Sequence, residues 1–370
     1  MNIAVNKSTL ATEMAKVLPF VERKSTIPIL ANVLLQAAGN SVTLTCTDLE
    51  ATLRATITAQ VESEGSITVP ARKLAETLKK LKTLEDANVT IKTLENNWVE
   101  LTCGPLKVKL VGMDAKNFPT AASVPSEPVQ IQADVLLTLI DRTRHAIAQE
   151  ESRYTINGAL LLLKPDSITM VATDGHRLAY VQHLASVARE IRTLIPSDTL
   201  DKLRTLLADA ETVNFASDHE KSLMVFTLDA RTLISRELTG QFPNYEAVMP
   251  KYSNRTLIVP AASLAASLNR VASFADERSH AIRFELQPNT LKVAASSSDL
   301  GDASETVPAS YDDSPLAIGL NAEYVLDYLK TYKNGASIAM QARDPQSAVL
   351  FTPAQDDDYV CREVVMPMRL

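Results

Sequence analysis

The sequence predicts an α+β protein built by repeating one domain three times. A turn bearing aspartate recurs at Asp48, Asp174 and Asp299, at intervals of 126 and 125 residues. Phe118-Pro119, Phe242-Pro243 and Met366-Pro367 recur at intervals of 124. The same order of amphipathic helix, loop, strand and hairpin surrounds each turn. Solenoid repeats run at about 20–50 residues, so a period near 125 in a 370-residue chain describes three whole domains in tandem. The predicted domains are 1–126, 127–250 and 251–370, each with two helices packed on antiparallel sheet.

Each repeat opens with a helix, over 8–24, 134–149 and 262–275. Its apolar residues fall at helical spacing: Leu10, Met14, Val17 and Val21; Leu136, Leu137, Ile140 and Ile147; Leu264, Leu268 and Val271. A strand follows, with period-two alternation in Val42-Leu44-Cys46, Ile168-Met170-Ala172 and Leu291-Val293-Ala295. The second helix of each repeat spans 71–82, 197–208 and 322–333. Its buried stripe is Leu74, Leu78 and Leu81; Leu200, Leu203 and Leu207; or Val325, Tyr328, Leu329 and Tyr332. Pro70, Pro196 and Asn321 precede these helices as start signals. Residues 88–104 read as a hairpin turning at Glu95-Asn96-Asn97.

Composition narrows the function. The chain is 46% hydrophobic and 22% charged, which suits packed soluble domains. No apolar run approaches the ~20 residues of a membrane span, and the N-terminus lacks the apolar core of a signal peptide. Cys46, Cys103 and Cys361 are widely spaced and odd in number, the pattern of core thiols in a reducing cytoplasm. The histidines at 145, 176, 183, 219 and 280 form no metal-ligand pattern, and no cofactor is expected. Neither G-x-x-x-x-G-K-[ST] nor G-x-G-x-x-G occurs, so ATP hydrolysis is not expected.

The net charge of −7 by itself argues against nucleic acid. Its distribution argues the other way. The six helix segments carry a formal +6, leaving −13 for the remainder. Segment 71–82 is the extreme, with Arg72, Lys73, Lys79, Lys80 and Lys82 against Glu76. A solvated helix face explains one such segment. Segregation over six points to a polyanion lying along the helices. Asp174-Gly175-His176 reads either as a hairpin turn or as an acid–base pair. The repeat favours the turn, because the equivalent turns lack histidine.

The segments STIPILANVLL (25–35), CTDLE (46–50), TVPARK (68–73), RYTINGALL (153–161), VATDGHRLA (171–179), FPNYEAVMP (242–250) and VVMPMRL (364–370) resemble, in order and over the whole chain, the bacterial DNA polymerase III beta subunit (beta sliding clamp) family. The resemblance implies DNA-clamp domains, a head-to-tail homodimer closed into a six-domain ring, and no enzymatic activity. It implies sequence-independent binding of duplex DNA in the cytoplasm, at the nucleoid. The implied partners are the replicative DNA polymerase catalytic subunit, an ATP-dependent clamp loader, translesion polymerases, mismatch-repair proteins and ligase.

Residue by residue, the resemblance implies a peptide pocket at Ile156, Thr173, Gly175, His176, Arg177, Leu178, Pro243, Ala247, Val248, Val365, Met366, Pro367, Met368 and Leu370, with His176 and Arg177 as polar contacts at its rim. Ala247 stands where relatives carry arginine, which implies the loss of one polar contact to the peptide. DNA contacts are implied for Lys24, Arg72, Gln149, Arg153 and Tyr154. The basic helix adds Lys73, Lys79 and Lys80 to that set, while Glu150 and Glu151 oppose it locally. The ring seam is implied to pair Val108 and Leu110 with Ser273 and Phe274. Ser273 replaces a more apolar residue, so Phe274 carries the apolar part. Two rivals from the residues alone are a hydrolase using Asp174 and His176, and a monomeric peptide-binding scaffold that ignores DNA.

Overall fold

The computed structural model describes residues 1–22, 26–81, 87–119, 127–150, 152–332, 335–355 and 358–369. Two predicted site residues, Lys24 and Leu370, lie outside the described residues, as do Lys82 and Glu151. Among the described residues six α-helices form at the six predicted segments: α1 (Lys7–Val17), α2 (Ala71–Lys80), α3 (Ala133–Thr143), α4 (Ser197–Leu207), α5 (Ala261–Val271) and α6 (Ala322–Leu329), of which α1, α3 and α5 start one residue before the predicted segment. The first helix of each repeat is shorter than its predicted segment and closes in a tight 3₁₀ turn, Leu18–Phe20, Arg144–Ala146 or Ala272–Phe274. In the first of these, Pro19 has no N–H to donate to the carbonyl four residues back. Asn321 caps α6 as the sequence suggests, accepting from the backbone N–H of Glu323 at 2.8 Å. Asn6 does the same for α1, accepting from Thr9 at 3.0 Å.

The shorter helices alter the charge reading. As folded they carry a formal +2 rather than +6, and α2 alone contributes +3. Much of the counted positive charge sits in residues flanking the helix ends, such as Arg144 and Lys330. Positive charge is therefore concentrated on one helix, and the other five carry no net excess.

The chain divides into two compact units, residues 1–134 with 201–237, and residues 135–200 with 238–370. The first holds a five-stranded and an eight-stranded sheet, the second an eight-stranded and a four-stranded sheet. In the first unit α1 packs on α2 and on strands Ser41–Thr47 and Ala51–Thr58. Its core includes Leu10, Met14, Leu44 and Leu53, with Phe215 and Phe226 stacked at 4.8 Å. In the second unit α5 packs on α6 and on strands Thr290–Ser297 and Gly301–Pro308, over a core that includes Phe284, Met340 and Phe351. The hairpin Asn88–Thr93/Trp98–Cys103 turns at Glu95–Asn97 as predicted, with Asn96 and Asn97 in the left-handed region. All three cysteines are buried free thiols.

Each eight-stranded sheet combines two repeats. The strand after the Asp48 turn, Ala51–Thr58, pairs with the last strand of the second repeat, Arg231–Arg236, through Ala51↔Ser235 and Leu53↔Leu233. The strand after the Asp174 turn, Arg177–Leu184, pairs with the last strand of the third repeat, Tyr359–Val365, from Arg177↔Val365 to His183↔Tyr359. Two counterparts are left at sheet edges. Leu106–Val111, the last strand of the first repeat, ends the five-stranded sheet. Gly301–Pro308, which follows the Asp299 turn, ends the four-stranded one.

Ion pairs reinforce the first-unit joint. Lys202 of α4, 7% exposed, reaches the Asp48 carboxylate at 2.6 Å and lies over the Phe20 ring, while Arg231 donates from Nε to Glu13 at 2.8 Å. Removing one partner of a buried pair leaves the other charged and unmatched. Lys202→Ala is therefore expected to cost about 3 kcal/mol, and the Lys202→Ala/Asp48→Ala double variant less than the sum of the singles. Denaturant unfolding of the four-member mutant cycle measures both.

Candidate functional site

Strand alternation builds an apolar floor in the second unit. Strands Gly158–Lys164, Ser167–Thr173, Arg177–Leu184 and Tyr359–Val365 lie side by side. The registers Leu160↔Val171 and Leu178↔Val364 set these four side chains on one face. Ile156, Leu162, Leu194 and Phe242 join them in one buried cluster, flanked by half-buried Tyr180, Tyr245, Met249 and Leu350. Pro243, Ala247 and Val248 are exposed around the turn Tyr245–Ala247, and Val248 is 49% exposed. Met366 is 45% exposed, its N–H held by the His176 carbonyl at 2.9 Å. Pro367 and Met368 are half-buried, and Met368 donates its N–H to Gly319 at 2.8 Å.

The structure thus brings Ile156, Leu178, Pro243, Ala247, Val248 and Met366 to one surface region, with two differences from the sequence reading. Val365 points the other way, into the core of the third repeat opposite Val349. Its neighbour Val364 lies in the apolar cluster instead. A period of two puts Val364 on the face of Met366, and the exposure of Met366, which only the fold reveals, selects Val364 over Val365. Phe242, Tyr180 and Tyr245, absent from the sequence-based set, belong to the same cluster or pack against it.

Arg177 is the second difference. Its neighbour Leu178 faces the floor, so Arg177 faces the opposite side of the sheet. It donates to Asp174 at 3.1 Å, to Asp327 of α6 at 2.9 Å and to the His145 carbonyl, with its guanidinium 4.5 Å from the Tyr324 ring centroid. The side chain is 10% exposed and its planar fork is fully engaged. On the same side Glu363 is fully buried, with its carboxylate 3.2 Å from His145. Burial pushes that carboxyl up, and His145 and Arg177 pull against the shift.

The turn between the strands is held by the same network. Asp174 accepts from the backbone N–H of His176 and Arg177 at 2.9 and 3.0 Å. Gly175 sits at φ +90°, which an L side chain rarely adopts. Asp48 accepts equivalently from Glu50 and Ala51, at 3.1 and 2.7 Å. Asp174 therefore orders a turn, while His176 is exposed beside it. Among the described residues, no three His, Cys, Asp or Glu side chains group to hold a metal ion.

The residues expected at DNA fall in both units. Arg72, Lys73, Lys79 and Lys80 are exposed on α2, whose opposite face buries Ala71, Leu74 and Leu78. Lys80 and Lys73 pair with Glu76 at 2.6 and 3.4 Å and hold its carboxyl below the ordinary range. Tyr154 is 71% exposed; Arg153 pairs with Glu150 at 3.0 Å and donates to the Asp174 carbonyl at 2.9 Å. Gln149 makes a long contact, 3.4 Å, to the Ile147 carbonyl. At the expected seam Leu110 is buried and Val108 half-buried on the edge strand Leu106–Val111. Ser273 and Phe274 are exposed in the turn after α5, which packs against the other edge strand.

Three tandem α+β repeats joined by shared sheets define a clamp-type architecture. The DNA polymerase III beta subunit domain models match in order: the N-terminal domain at residues 1–122, the central domain at 130–244 and the C-terminal domain at 246–369. The chain is 33% identical to the beta sliding clamp of Pseudomonas putida over the full length of both, and 34% identical to that of Synechococcus elongatus over 95% and 96% of the two chains. The crystal structure of the Pseudomonas aeruginosa clamp bound to griselimycin superposes with a TM-score of 0.94, at 31% identity over all of both chains. The chain belongs to the DNA polymerase III beta subunit family, the beta sliding clamps. It is a DNA sliding clamp, a processivity factor that is not an enzyme.

The Arg177 network gives a pH test. Burial pushes the Asp327 carboxyl up, but hydrogen bonds from Lys330 and Arg177 outweigh it and hold the group below the usual aspartate range. Such a carboxylate contributes stability that is fully present above its unfolded pKa, about 4, and is lost as pH falls through the folded value. Asp327→Asn is expected to cost about 1 kcal/mol at neutral pH. The gap between the two proteins should close as pH drops below about 4, measured by urea unfolding across pH.

Proposed function

We propose that two copies of this chain close head to tail into a six-domain ring around duplex DNA, each copy contributing domains at 1–126, 127–250 and 251–370. The pair of unmatched strand edges carries this reading. Twice within the chain, the strand after an Asp turn pairs with the last strand of the next repeat. A third use of that rule needs Gly301–Pro308 of one copy and Leu106–Val111 of another. Val108, Leu110, Ser273 and Phe274 form the seam, with Phe274 as the apolar anchor. Phe274→Asp should convert a particle of twice 40.3 kDa into one of 40.3 kDa by light scattering.

Topological retention needs no strong phosphate contact. A diffuse positive lining from Arg72, Lys73, Lys79 and Lys80, with Lys24, Gln149, Arg153 and Tyr154, favours the duplex without reading its sequence. The protein acts in the cytoplasm at the nucleoid. When loaded onto nicked circular plasmid by an ATP-dependent clamp loader and isolated, it should leave the DNA once the plasmid is linearised. Retention after cutting would point to chemical contacts in place of a ring.

The apolar groove takes short segments of the replicative polymerase catalytic subunit, the loader, translesion polymerases, mismatch-repair proteins and ligase. Tethering turns rebinding of a polymerase into an intramolecular step. Aliphatic and methionine side chains give an adaptable surface for several partners. The same groove binds griselimycin in this chain. Calorimetric titration should show binding by the native protein and at least about tenfold weaker binding by Val364→Asp, which places a charge in the apolar floor.

A further inference from the structure

The groove does not end at its apolar floor. Met249 and Ala348, which pack against the floor cluster, also line a neighbouring hollow of about 360 Å³. Val248, Lys251, Tyr252 and Arg343 complete the part of its wall that matters here. The apolar cluster and the hollow therefore share Met249 and Ala348, and the hollow adds polar side chains beside them.

The hollow has an unusual composition. Tyr252 is 82% exposed, a large ring left almost wholly in solvent. Aromatic rings of this kind are enriched where a partner covers them, because they supply contact area at low entropic cost. Arg343 is engaged within its own loop, its Nε 2.9 Å from Asp344 and a terminal nitrogen 2.7 Å from Ser347 Oγ. Lys251 is exposed and makes no ion pair among the described residues. Glu246, also exposed, lies on the turn Tyr245–Ala247 and approaches the Tyr245 hydroxyl at 3.5 Å. Within the hollow, the uncompensated charge is therefore the Lys251 ammonium, next to an uncovered aromatic ring.

We propose that this hollow extends the peptide groove and selects partner segments carrying an acidic residue beside their apolar anchor. The carboxylate pairs with Lys251, and Tyr252 packs over the adjoining peptide backbone and side chain. The inference rests on the groove being a peptide site and adds the charge preference of its ligand. It also supplies a polar contact on the side of the groove where Ala247 offers none.

The test is fluorescence anisotropy with a fluorescein-labelled Ala-Leu-Ala-Leu-Phe core, extended at both ends by Ser-Glu, Ser-Gln or Ser-Lys. The native protein should bind in the order Glu, Gln, Lys. The two extremes should differ by about fivefold at low salt, and by less as salt rises, as an exposed ion pair requires. Lys251→Glu should reverse the order. Tyr252→Ala should weaken all three peptides by about threefold or more. Both side chains are exposed, so unchanged thermal unfolding of the variants confirms that the fold is intact. Equal binding of the three peptides, or an order that Lys251→Glu leaves untouched, overturns the acidic preference while the groove stands. If no peptide binds the native protein more tightly than Val364→Asp, the groove reading fails and this inference with it.

Discussion

The constraint on which this structure depends is that a strand edge must find a partner for its backbone N–H and C=O groups. Neither half-sheet at a repeat boundary stands alone. The edge strand Ala51–Thr58 is completed by Arg231–Arg236, and Arg177–Leu184 by Tyr359–Val365. The apolar cluster beneath Pro243 and Val248 is a product of the second joint. Leu178 and Val364 come from different repeats and are 186 residues apart in sequence, yet the register puts them opposite each other. A change that slipped this register by one residue would exchange the two faces of the strand and replace Val364 with Glu363 or Val365.

The opposite face of the same joint has different chemistry. Leu178, Val364 and Tyr180 face the apolar cluster, so Arg177, Glu363 and Val365 face the helices. Two of these three are charged. Arg177 is compensated by Asp174, Asp327 and the Tyr324 ring, and Glu363 has His145 as its partner. This polar network ties the Asp174 turn to α6, so the loop beside the groove is positioned from beneath. The first unit solves the same problem with other residues. Its Asp48 carboxylate is met by Lys202, from the following repeat, where Asp174 is met by its near neighbour Arg177. Its turn also tolerates Leu49 at φ +80°, a position that Gly175 fills in the second. A leucine there costs of order 1 kcal/mol or more.

The exposed cations of α2 suit weak, non-specific attraction. Four cations on the exposed face of α2 surround one glutamate, and two of the four are tied to it. Exposed pairs of this kind are worth little individually and are readily exchanged. A surface with such contacts attracts a phosphate backbone without fixing its position, as a sliding device requires.

The sequence by itself determined the threefold repeat, the six helices, the Asp turns and the basic helix. These are local properties: helical and strand periods, a cap, a turn chemistry and a short motif are each written within a few residues. It did not determine the extent of positive charge on the helices, because helix ends depend on capping and on where the 3₁₀ turns begin. Nor did it separate Val364 from Val365, or show that Arg177 is engaged beneath the sheet. Only the tertiary structure decided those. Which face of a strand meets a groove, and which carboxylates meet a guanidinium, are fixed by pairing with strands and helices more than a hundred residues away. A backbone edge offers the same hydrogen-bonding groups whatever its side chains, so the choice of its partner is not written locally.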